Sequence, residues 1–415
     1  MIHRLFASAV LFIAASAAWS QGSGGVNVPA QQEKPYVILL SIDGFRWDFQ
    51  SLFDTPGLDR ISETGVKAEA MVPVFPTMTF PNHYSIATGL YPANHGIVDN
   101  NFYSRDRQRF YSLRDREAVQ DGSWYGGTPL WVAAEQQGMV SAAYFFVGSE
   151  ADVQGVRPTY WYPFNGNVPG EDRITQALEW LGLPDEQRPH LITLYFEDVD
   201  EAMHNYGLPS PELSAAVSQV DGHISDLLDG IEALPFSDDV YILVVSDHGQ
   251  AKFRSSSPAF VVEDHVNFEG IRAVDHDSFV ALYFDEPDTG LARIIADRIN
   301  ETWQRGQAVI PGDAPDSWHI TRGSRFADVI LQADQQFVVH TRRRTPPRLV
   351  SGHGWAPQVR HMHGHFSARG PRLSAGVRIP AFESIDVYPF VMEILGLELS
   401  GPIDGDAATL VPLLK

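Results

Sequence analysis

The chain has 415 residues, of which 44% are hydrophobic, and its formal net charge at pH 7 is −22. A chain of this length can bury a large core, either as one large α/β domain with insertions or as two domains. The strongly acidic composition argues against duplex nucleic acid or an anionic membrane as the main partner, because both carry the same sign of charge. There is no cysteine, which excludes disulfides, cysteine-type zinc sites and thiol nucleophiles. Any metal must therefore be held by His and carboxylate side chains.

The N-terminal segment has the pattern of a secretory signal peptide. A short polar, positively charged start precedes an apolar run from Leu5 to Ala18, and small residues follow at the spacing of a cleavage site. The apolar run is short for a membrane span, so we expect cleavage after residues 1–20 and no stable membrane insertion afterwards. Residues 21–34 are rich in Gly, Ser, Gln and Pro and are predicted to be a linker. Export predicts a secreted or periplasmic protein, and the absence of disulfides favours a bacterial periplasm over an animal extracellular space.

Three continuous apolar runs are typical of strands that are buried on both faces of a parallel sheet. These runs are Tyr36 to Ile42, His190 to Phe196 and Val240 to Ser246. A fourth strand is predicted from Val140 to Val147, and helices from Thr128 to Gly138, Ile174 to Leu183, Pro211 to Leu234, Thr289 to Arg305 and Asp386 to Leu395. The alternation of strands and helices predicts an α/β fold with a mostly parallel central sheet flanked by helices.

Acidic residues follow each of the three apolar strands. Asp43 follows the first strand, Asp200 lies just beyond the second, and Asp247 and His248 follow the third. One such Asp is usually a turn residue. Three together indicate a metal cluster, because ligands of open α/β sheets bind beyond the carboxyl ends of the strands. Asp200 and His204 are also four residues apart, which suits one metal on one helical turn, although such pairs are commonly surface pairs.

The stretch from Pro76 to His95 predicts a helix whose N-terminus can bind a ligand. Thr79 is placed to be its N-cap, and Pro81 suits the first helical turn. A helix N-terminus presents free N–H groups and a positive partial charge, so it can bind phosphate or another oxyanion. A plain capping hydroxyl is the alternative, but the Asp and His residues at the strand ends could bring a metal to this hydroxyl and so favour a functional role.

The sequence alone does not decide the roles of three further segments. The aromatic loop from Arg157 to Gly166 could cover the core or line a pocket. Residues 250–345 change in character and are predicted to form an inserted smaller lobe, after which the main fold resumes near Gly352. Beyond it, three alternating histidines would share one face of a strand, as a metal stripe or as an ordinary polar face. These histidines are His361, His363 and His365.

Six motifs occur in a characteristic order along the chain. They are SIDGFR at Ser41, PTMTFPNHY at Pro76, TGLYPANHGI at Thr88, DVDEAMHNYG at Asp198, SDHGQ at Ser246 and GHGW at Gly352. Together they closely resemble the nucleotide pyrophosphatase/phosphodiesterase family of the alkaline phosphatase superfamily, of the bacterial type without the disulfides and extra binding domains of the animal members. Each motif alone is modest evidence for the family, but six motifs in the family's order are highly specific for it. The match covers nearly the whole mature chain.

The resemblance implies an alkaline-phosphatase-like fold with a catalytic domain at residues 35–415, and two zinc ions. Its implied site residues fall into four groups. They are Asp43, Thr79, Asp247 and His248 for one zinc; Asp200, His204 and His353 for the other; Thr79 as nucleophile with Asn82 on a phosphate oxygen; and Phe80 and Tyr195 around a flat group such as a nucleobase. The family motif, and not periodicity, selects His353 over the other histidines. Many relatives carry Lys before the nucleophile, where this chain has Met78.

The expected function is therefore zinc-dependent hydrolysis of nucleotide-type phosphodiesters or pyrophosphates to nucleoside monophosphates, through a phosphothreonine intermediate. The substrate would be a small molecule. Lysophospholipid or choline phosphodiesters, phosphate monoesters and sulfate esters are alternative substrates within the same superfamily. A non-catalytic periplasmic zinc-binding protein is the alternative from another class, but zinc storage would need neither Thr79 nor Asn82.

Overall fold

The computed structural model describes residues 25–254, 257–321, 325–343 and 349–415. The predicted signal peptide lies outside the described residues, as do residues 21–24 of the predicted linker. Residues 25–34 contain no helix or strand, yet the Asn27 amide donates to the carbonyl oxygens of Asp185 and Arg188 at 2.9 and 2.7 Å. Among the described helices, none combines the length and apolar character that a membrane crossing requires.

The strands and helices of the described residues are numbered in chain order. Strands β1 to β20 are Tyr36–Ile42, Val66–Ala68, Met71–Val72, Asn101–Ser104, Arg109–Ser112, Ser141–Tyr144, Tyr160–Tyr162, Leu191–Phe196, Val240–Val245, Ala251–Lys252, Phe260–Val261, Ile271–Asp275, Phe279–Phe284, Gly306–Val309, Val329–Ala333, Val339–His340, Ser351–Gly352, Phe366–Arg369, Val377–Ile379 and Phe382–Glu383. Helices α1 to α12 are Phe49–Leu52, Pro56–Thr64, Thr79–Thr88, Pro92–His95, Arg116–Gln120, Leu130–Gln136, Gly170–Leu181, Asp198–Tyr206, Pro211–Glu232, Thr289–Thr302, Val387–Leu395 and Ala407–Leu410.

The central sheet has eight strands in the order β19-β2-β18-β9-β1-β8-β6-β7. The five strands from β9 to β7 run parallel to one another, whereas β18 is antiparallel to both β2 and β9. The three apolar runs predicted as buried strands are β1, β8 and β9, which lie side by side at the centre. The prediction of a mostly parallel α/β sheet is therefore confirmed.

Helices cover both faces of this sheet, and strand β1 shows why its sequence is apolar throughout. Val37 and Leu39 pack into a core that contains helices α3, α6 and α11. Ile38 and Leu40 pack into the opposite core, which contains helices α7, α8 and α9. Successive side chains of a strand point to opposite faces, so a strand covered on both sides needs apolar residues at every position.

A second, smaller sheet lies within the segment predicted as an inserted lobe. Its strands are antiparallel in the order β12-β13-β15-β14, and helix α10 packs on one face around Val280, Leu282 and Ile299. Strands β12 and β13 are joined by a tight turn, in which Asp277 has a positive φ of 63°. The other face of this sheet joins the core of the main domain through Ala281 and Tyr283.

Candidate active site

The carboxyl ends of β1, β8 and β9 bring the predicted acidic residues together. Ser41 of β1 pairs with Tyr195 of β8 and with Val245 of β9, so the three strands end at the same level. Asp43 follows β1, Asp200 lies in the first turn of α8 directly after β8, and Asp247 follows β9. The parallel register of neighbouring strands thus places three carboxylates at one edge of the sheet.

Histidines lie among these carboxylates at short distances. His248 Nε2 is 3.0 Å from Asp247 Oδ2 and 3.6 Å from Asp43 Oδ1. His204 Nε2 is 3.3 Å from Asp200 Oδ2, one helical turn apart on α8 as their spacing predicts. The ring of His353 stacks on that of His248, with centroids 3.8 Å apart. The seven residues that the family resemblance suggests as ligands, including Thr79, thus form one continuous cluster.

His353 is fixed against the segment that precedes Thr79. Its Nδ1 is 2.8 Å from the carbonyl oxygen of Thr77, and the Thr77 hydroxyl accepts a hydrogen bond from the N–H of Gly354. His204 Nδ1 is likewise 2.9 Å from the carbonyl oxygen of Ser351. These contacts orient both rings through their Nδ1 atoms and leave Nε2 for a ligand, which is the usual arrangement around a protein-bound metal.

The three alternating histidines do not join this cluster. His361 contacts the amide of Gln335, His363 Nε2 is 2.9 Å from the carbonyl oxygen of Pro357, and His365 Nε2 is 2.9 Å from the hydroxyl of Ser367. The expectation that they share one strand face is wrong, because residues 360–362 form a 3₁₀ turn and strand β18 begins only at Phe366.

The buried carboxylates of the cluster fit a cation. Asp43 Oδ1 and Asp247 Oδ2 are buried and have no hydrogen-bond partner among the described residues. Burial raises the pKa of both carboxyl groups well above the ordinary value, and the charges of Asp247 and Asp200 raise that of Asp43 further. Burial also lowers the pKa of His353 to about 4, which keeps its imidazole neutral. Buried carboxylate oxygens that lack a hydrogen-bond donor, beside neutral imidazoles, are the donor set that zinc takes in cysteine-free sites.

His83 lies behind the cluster and was not predicted from sequence. Its Nε2 is 2.8 Å from the Ser41 hydroxyl, and its Nδ1 is 2.9 Å from the carbonyl oxygen of Thr79 and 3.3 Å from Asp247 Oδ2. Both ring nitrogens are therefore engaged by the protein, and His83 is better suited to hold its neighbours than to bind a metal.

The sequence predicts Thr79 as the N-cap of helix α3, but in the structure Thr79 is the first residue of the helix. Met78 is the N-cap, with an extended backbone at φ −119° and ψ 153° and no side-chain capping hydrogen bond. The Thr79 hydroxyl lies instead 3.4 Å from His248 Nε2, at the metal-binding cluster. A hydroxyl held at a helix N-terminus beside buried carboxylates and imidazoles is suited to attack an electrophile that carries negative charge.

Asn82 does not reach the site, so its predicted contact with a phosphate oxygen must be corrected. The side chain is fully buried. Its Oδ1 accepts from the N–H of Val74, and its Nδ2 donates to the carbonyl oxygens of Pro76 and Met78. All of its hydrogen-bonding groups are thus used to fold the segment before Thr79 back onto helix α3.

Asn100 takes the place beside the nucleophile that was expected for Asn82. Its Oδ1 accepts a hydrogen bond of 2.7 Å from the N–H of Phe80, the residue after Thr79. That contact uses the oxygen and leaves the Nδ2 hydrogens available, with no acceptor for them in the part of the chain that the structure describes. Asn100 therefore holds two donor hydrogens close to the start of helix α3.

A cavity of about 240 Å³ opens in front of Thr79. Phe80 and Phe164 line it, and Phe164 is 42% exposed. Tyr195 also contributes to its wall, but it is buried, and its hydroxyl donates a hydrogen bond of 2.6 Å to Asp43 Oδ2. Tyr195 therefore orients a carboxylate of the cluster, and Phe164, whose ring centroid is 6.1 Å from that of Tyr195, is the more exposed of the two rings on the cavity wall.

Sequence reasoning does not identify Phe164 or Asn100 as site residues, and only Phe164 has a signal in the sequence. Phe164 belongs to the aromatic loop from Arg157 to Gly166, for which lining a pocket was one of two open interpretations. Asn100 carries no such signal, because an Asn in a loop is ordinary. Only its contact with helix α3 identifies it.

Comparison with known proteins gives the same assignment for fold and family. The type I phosphodiesterase / nucleotide pyrophosphatase family model matches residues 37–364. Human ectonucleotide pyrophosphatase/phosphodiesterase family member 1 is 32% identical over 397 residues, 93% of this chain and 42% of the relative. Venom phosphodiesterase 2 of Crotalus adamanteus is 33% identical over 402 residues, 95% of this chain and 49% of the relative.

The chain thus spans less than half the length of these two curated relatives. Among solved structures, murine ectonucleotide pyrophosphatase/phosphodiesterase 5 matches with a TM-score of 0.85 and 27% identity, over 92% of this chain and all of that chain. That structure is of an inactive threonine-to-alanine variant in complex with AMP. With the family model matched over most of its length, this chain belongs to the type I phosphodiesterase / nucleotide pyrophosphatase family.

Proposed function

We propose that this chain is a zinc-dependent phosphodiesterase that hydrolyses nucleotide-type phosphodiesters or pyrophosphates to nucleoside monophosphates. The observation that carries the proposal is the position of the Thr79 hydroxyl, 3.4 Å from His248 Nε2 and on the wall of a cavity whose lining includes Phe80 and Phe164. The murine relative that was solved with AMP, and whose Thr-to-Ala variant is inactive, supports both the substrate class and the role of a threonine.

Two zinc ions would be held by the seven-residue cluster. Asp43, Thr79, Asp247 and His248 would bind one ion, and Asp200, His204 and His353 the other. When bound, zinc supplies positive charge that lowers the pKa of a coordinated hydroxyl and stabilises negative charge on phosphate oxygens. The protein contributes the orientation of the donors, through Tyr195 on Asp43 and through the backbone contacts of His204 and His353.

The reaction would proceed in two displacements at phosphorus. In the first, the Thr79 oxygen forms a bond to phosphorus and the bond to the leaving-group oxygen breaks. The departing oxygen keeps the electron pair of that bond, and the Thr79 hydroxyl proton is released to solvent, from which the leaving group can take up a proton. The product is a phosphothreonine ester that still carries the nucleoside. In the second, the oxygen of a water molecule forms a bond to phosphorus, the bond to Thr79 breaks, and the Thr79 oxygen regains a proton as the nucleoside monophosphate leaves.

Asn100 and the start of helix α3 would stabilise the phosphate oxygens during both displacements. The Asn100 Oδ1 contact with Phe80 fixes the side chain relative to Thr79. Its Nδ2 group is then a preorganised donor that needs no reorganisation when charge develops. The positive end of the helix dipole acts in the same direction.

The cavity favours a diester with a flat substituent. Phe80 and Phe164 line it and can stack on a nucleobase. Met78 and Pro81, which flank the nucleophile, are buried and apolar. A phosphate monoester carries an additional negative charge, which these residues cannot neutralise. Arg116 on the cavity wall is already paired with Glu150, so a diester should be preferred.

A substrate panel on the zinc-loaded protein tests the proposal. We expect kcat/KM for the nitrophenyl ester of thymidine 5′-monophosphate to exceed the values for nitrophenyl phosphate and nitrophenylphosphocholine. Elemental analysis should find two zinc ions per chain, and chelation should abolish turnover. Faster hydrolysis of the monoester or of the choline ester would contradict the substrate assignment, and zinc binding without any turnover would favour a zinc-binding protein.

A further inference from the structure

The turn between β12 and β13 of the smaller sheet reaches into the catalytic centre. We call residues 276–278 the lobe turn. Gly354, next to His353, is so close to it that an added Cβ would lie 2.4 Å from the Ser278 hydroxyl and 3.0 Å from Met78 Sδ. Gly354 therefore lies between the lobe turn and Met78, the residue before Thr79, with no space for a side chain there.

His276 of the lobe turn forms a buried contact with Asp99. Its Nε2 is 2.7 Å from Asp99 Oδ2, and the side chains of Asp99 and His276 are only 4% and 10% exposed. Burial lowers the pKa of His276, but the nearby Asp99 carboxylate outweighs it and raises the pKa above the ordinary value. A protonated imidazole makes a charge-assisted hydrogen bond, which is stronger than a neutral one.

Asp99 links His276 to Asn100. Its other oxygen, Oδ1, accepts a hydrogen bond of 2.6 Å from the backbone N–H of Asn100. Asn100 Oδ1 in turn accepts from the N–H of Phe80. An unbroken series of hydrogen bonds thus runs from His276 in the lobe turn to the residue after the candidate nucleophile.

The imidazole of His276 is itself held by its own turn. Its ring stacks on Phe279 with centroids 4.7 Å apart, and its backbone N–H donates to the carbonyl oxygen of Phe279 at 3.0 Å. The carbonyl oxygen of His276 accepts from the N–H of Ser278 at 2.6 Å. The ring therefore has little freedom, and Asp99 is held in one orientation.

We propose that His276 is a positioning residue, which holds Asn100 in front of helix α3 through Asp99 and so couples the smaller lobe to catalysis. The catalytic consequence rests on the proposed function, whereas the effect on Asn100 itself does not. A buried ion pair that only anchors the lobe would also stabilise the fold. Only positioning makes the effect of His276 depend on the presence of the Asn100 side chain.

A double-mutant cycle on the zinc-loaded enzyme separates the two roles. We expect His276→Leu to lower kcat about tenfold with little change in KM, because a small misplacement of a catalytic group is costly. In an Asn100→Ala background the same substitution should cause no further loss. His276→Gln, which keeps an N–H donor, should recover much of the activity. His265→Leu is the matched control, since His265 lies in the same lobe and stacks on Phe260.

Two kinetic results would overturn the proposal. One is a loss from His276→Leu that is equally large in the Asn100→Ala background. The other is an equal loss from His265→Leu, which would indicate general weakening of the lobe.

A measurement without substrate tests the same inference when the proposed reaction fails. The side-chain amide signal of Asn100, assigned by its loss in Asn100→Ala, is followed by ¹⁵N NMR. It should shift in His276→Leu and stay unchanged in His265→Leu. An unchanged Asn100 signal in His276→Leu would overturn the positioning role, and absent diesterase activity with a shifted signal would contradict only the proposed function.

Discussion

The hydroxyl oxygen of Thr79 lies 3.4 Å from Nε2 of His248, although the two residues are 169 positions apart in the chain. This contact joins the first residue of helix α3 to the carboxyl end of strand β9. It places a hydroxyl between a helix N-terminus, which favours anions, and a carboxylate–histidine cluster, which favours cations. A phosphate diester bound at this junction would meet donors on one side and metal ligands on the other.

The two asparagines near Thr79 should respond to substitution in opposite ways. Asn82→Ala leaves the N–H of Val74 and the carbonyl oxygen of Pro76 without their buried partner, so we expect the free energy of unfolding to fall by about 2 kcal/mol or more. Asn100→Ala should lower kcat by about 10²- to 10³-fold, because it removes a donor to the phosphate. Urea unfolding and steady-state kinetics on both variants check this. A catalytic defect confined to Asn82→Ala would restore the expectation made from the sequence.

Phe164 should determine the preference for nucleotides. Stacking of a base on an aromatic ring contributes about 1–3 kcal/mol, so Phe164→Ala should lower kcat/KM for a nucleotide ester about tenfold relative to a methyl nitrophenyl diester. Phe110→Ala is the matched control, because Phe110 is also 42% exposed but lies outside the cavity. Equal losses on both diesters, or an equal effect in the control, would contradict the stacking role.

Tyr195→Phe should weaken zinc binding and leave substrate preference intact. The substitution removes only the hydroxyl that donates to Asp43 Oδ2 and keeps the ring. Loss of a hydrogen bond to a metal-binding carboxylate typically costs about 10–100-fold in metal affinity or activity. Competition with a chelator of known affinity measures this effect. Unchanged zinc affinity in Tyr195→Phe would contradict the orienting role. If nucleotide preference were lost in Tyr195→Ala but kept in Tyr195→Phe, the Tyr195 ring would instead stack on the nucleobase.

The sequence predicted those parts of the fold whose signal is local. The apolar run from Tyr36 to Ile42 is strand β1 with the predicted bounds, because a strand buried on both faces is apolar throughout. The acidic residues after β1, β8 and β9 could be placed at one edge of the sheet, because parallel strands end together. Pro81 lies in the first turn of α3 as predicted.

The remaining parts depend on contacts between distant segments. Asn82 and Asn100 are the same residue type, and only the hydrogen bonds to Val74 and Phe80 show which one is consumed by the backbone. Tyr195 matched an aromatic position, but its hydroxyl reaches Asp43, which is 152 residues away. His276 and Asp99 are 177 residues apart. No periodicity or local motif reports such pairs.

The stereochemistry at phosphorus tests the central claim, that Thr79 is a covalent nucleophile, most directly. Each in-line displacement inverts the configuration of phosphorus, so two successive displacements restore it. The wild-type enzyme is given a nucleotide phosphorothioate diester of known configuration in ¹⁸O-labelled water, and the product is analysed by ³¹P NMR. We predict net retention, with turnover nearly lost in a Thr79→Ala variant that keeps its zinc. Net inversion would contradict it, because a water molecule would then attack the substrate directly.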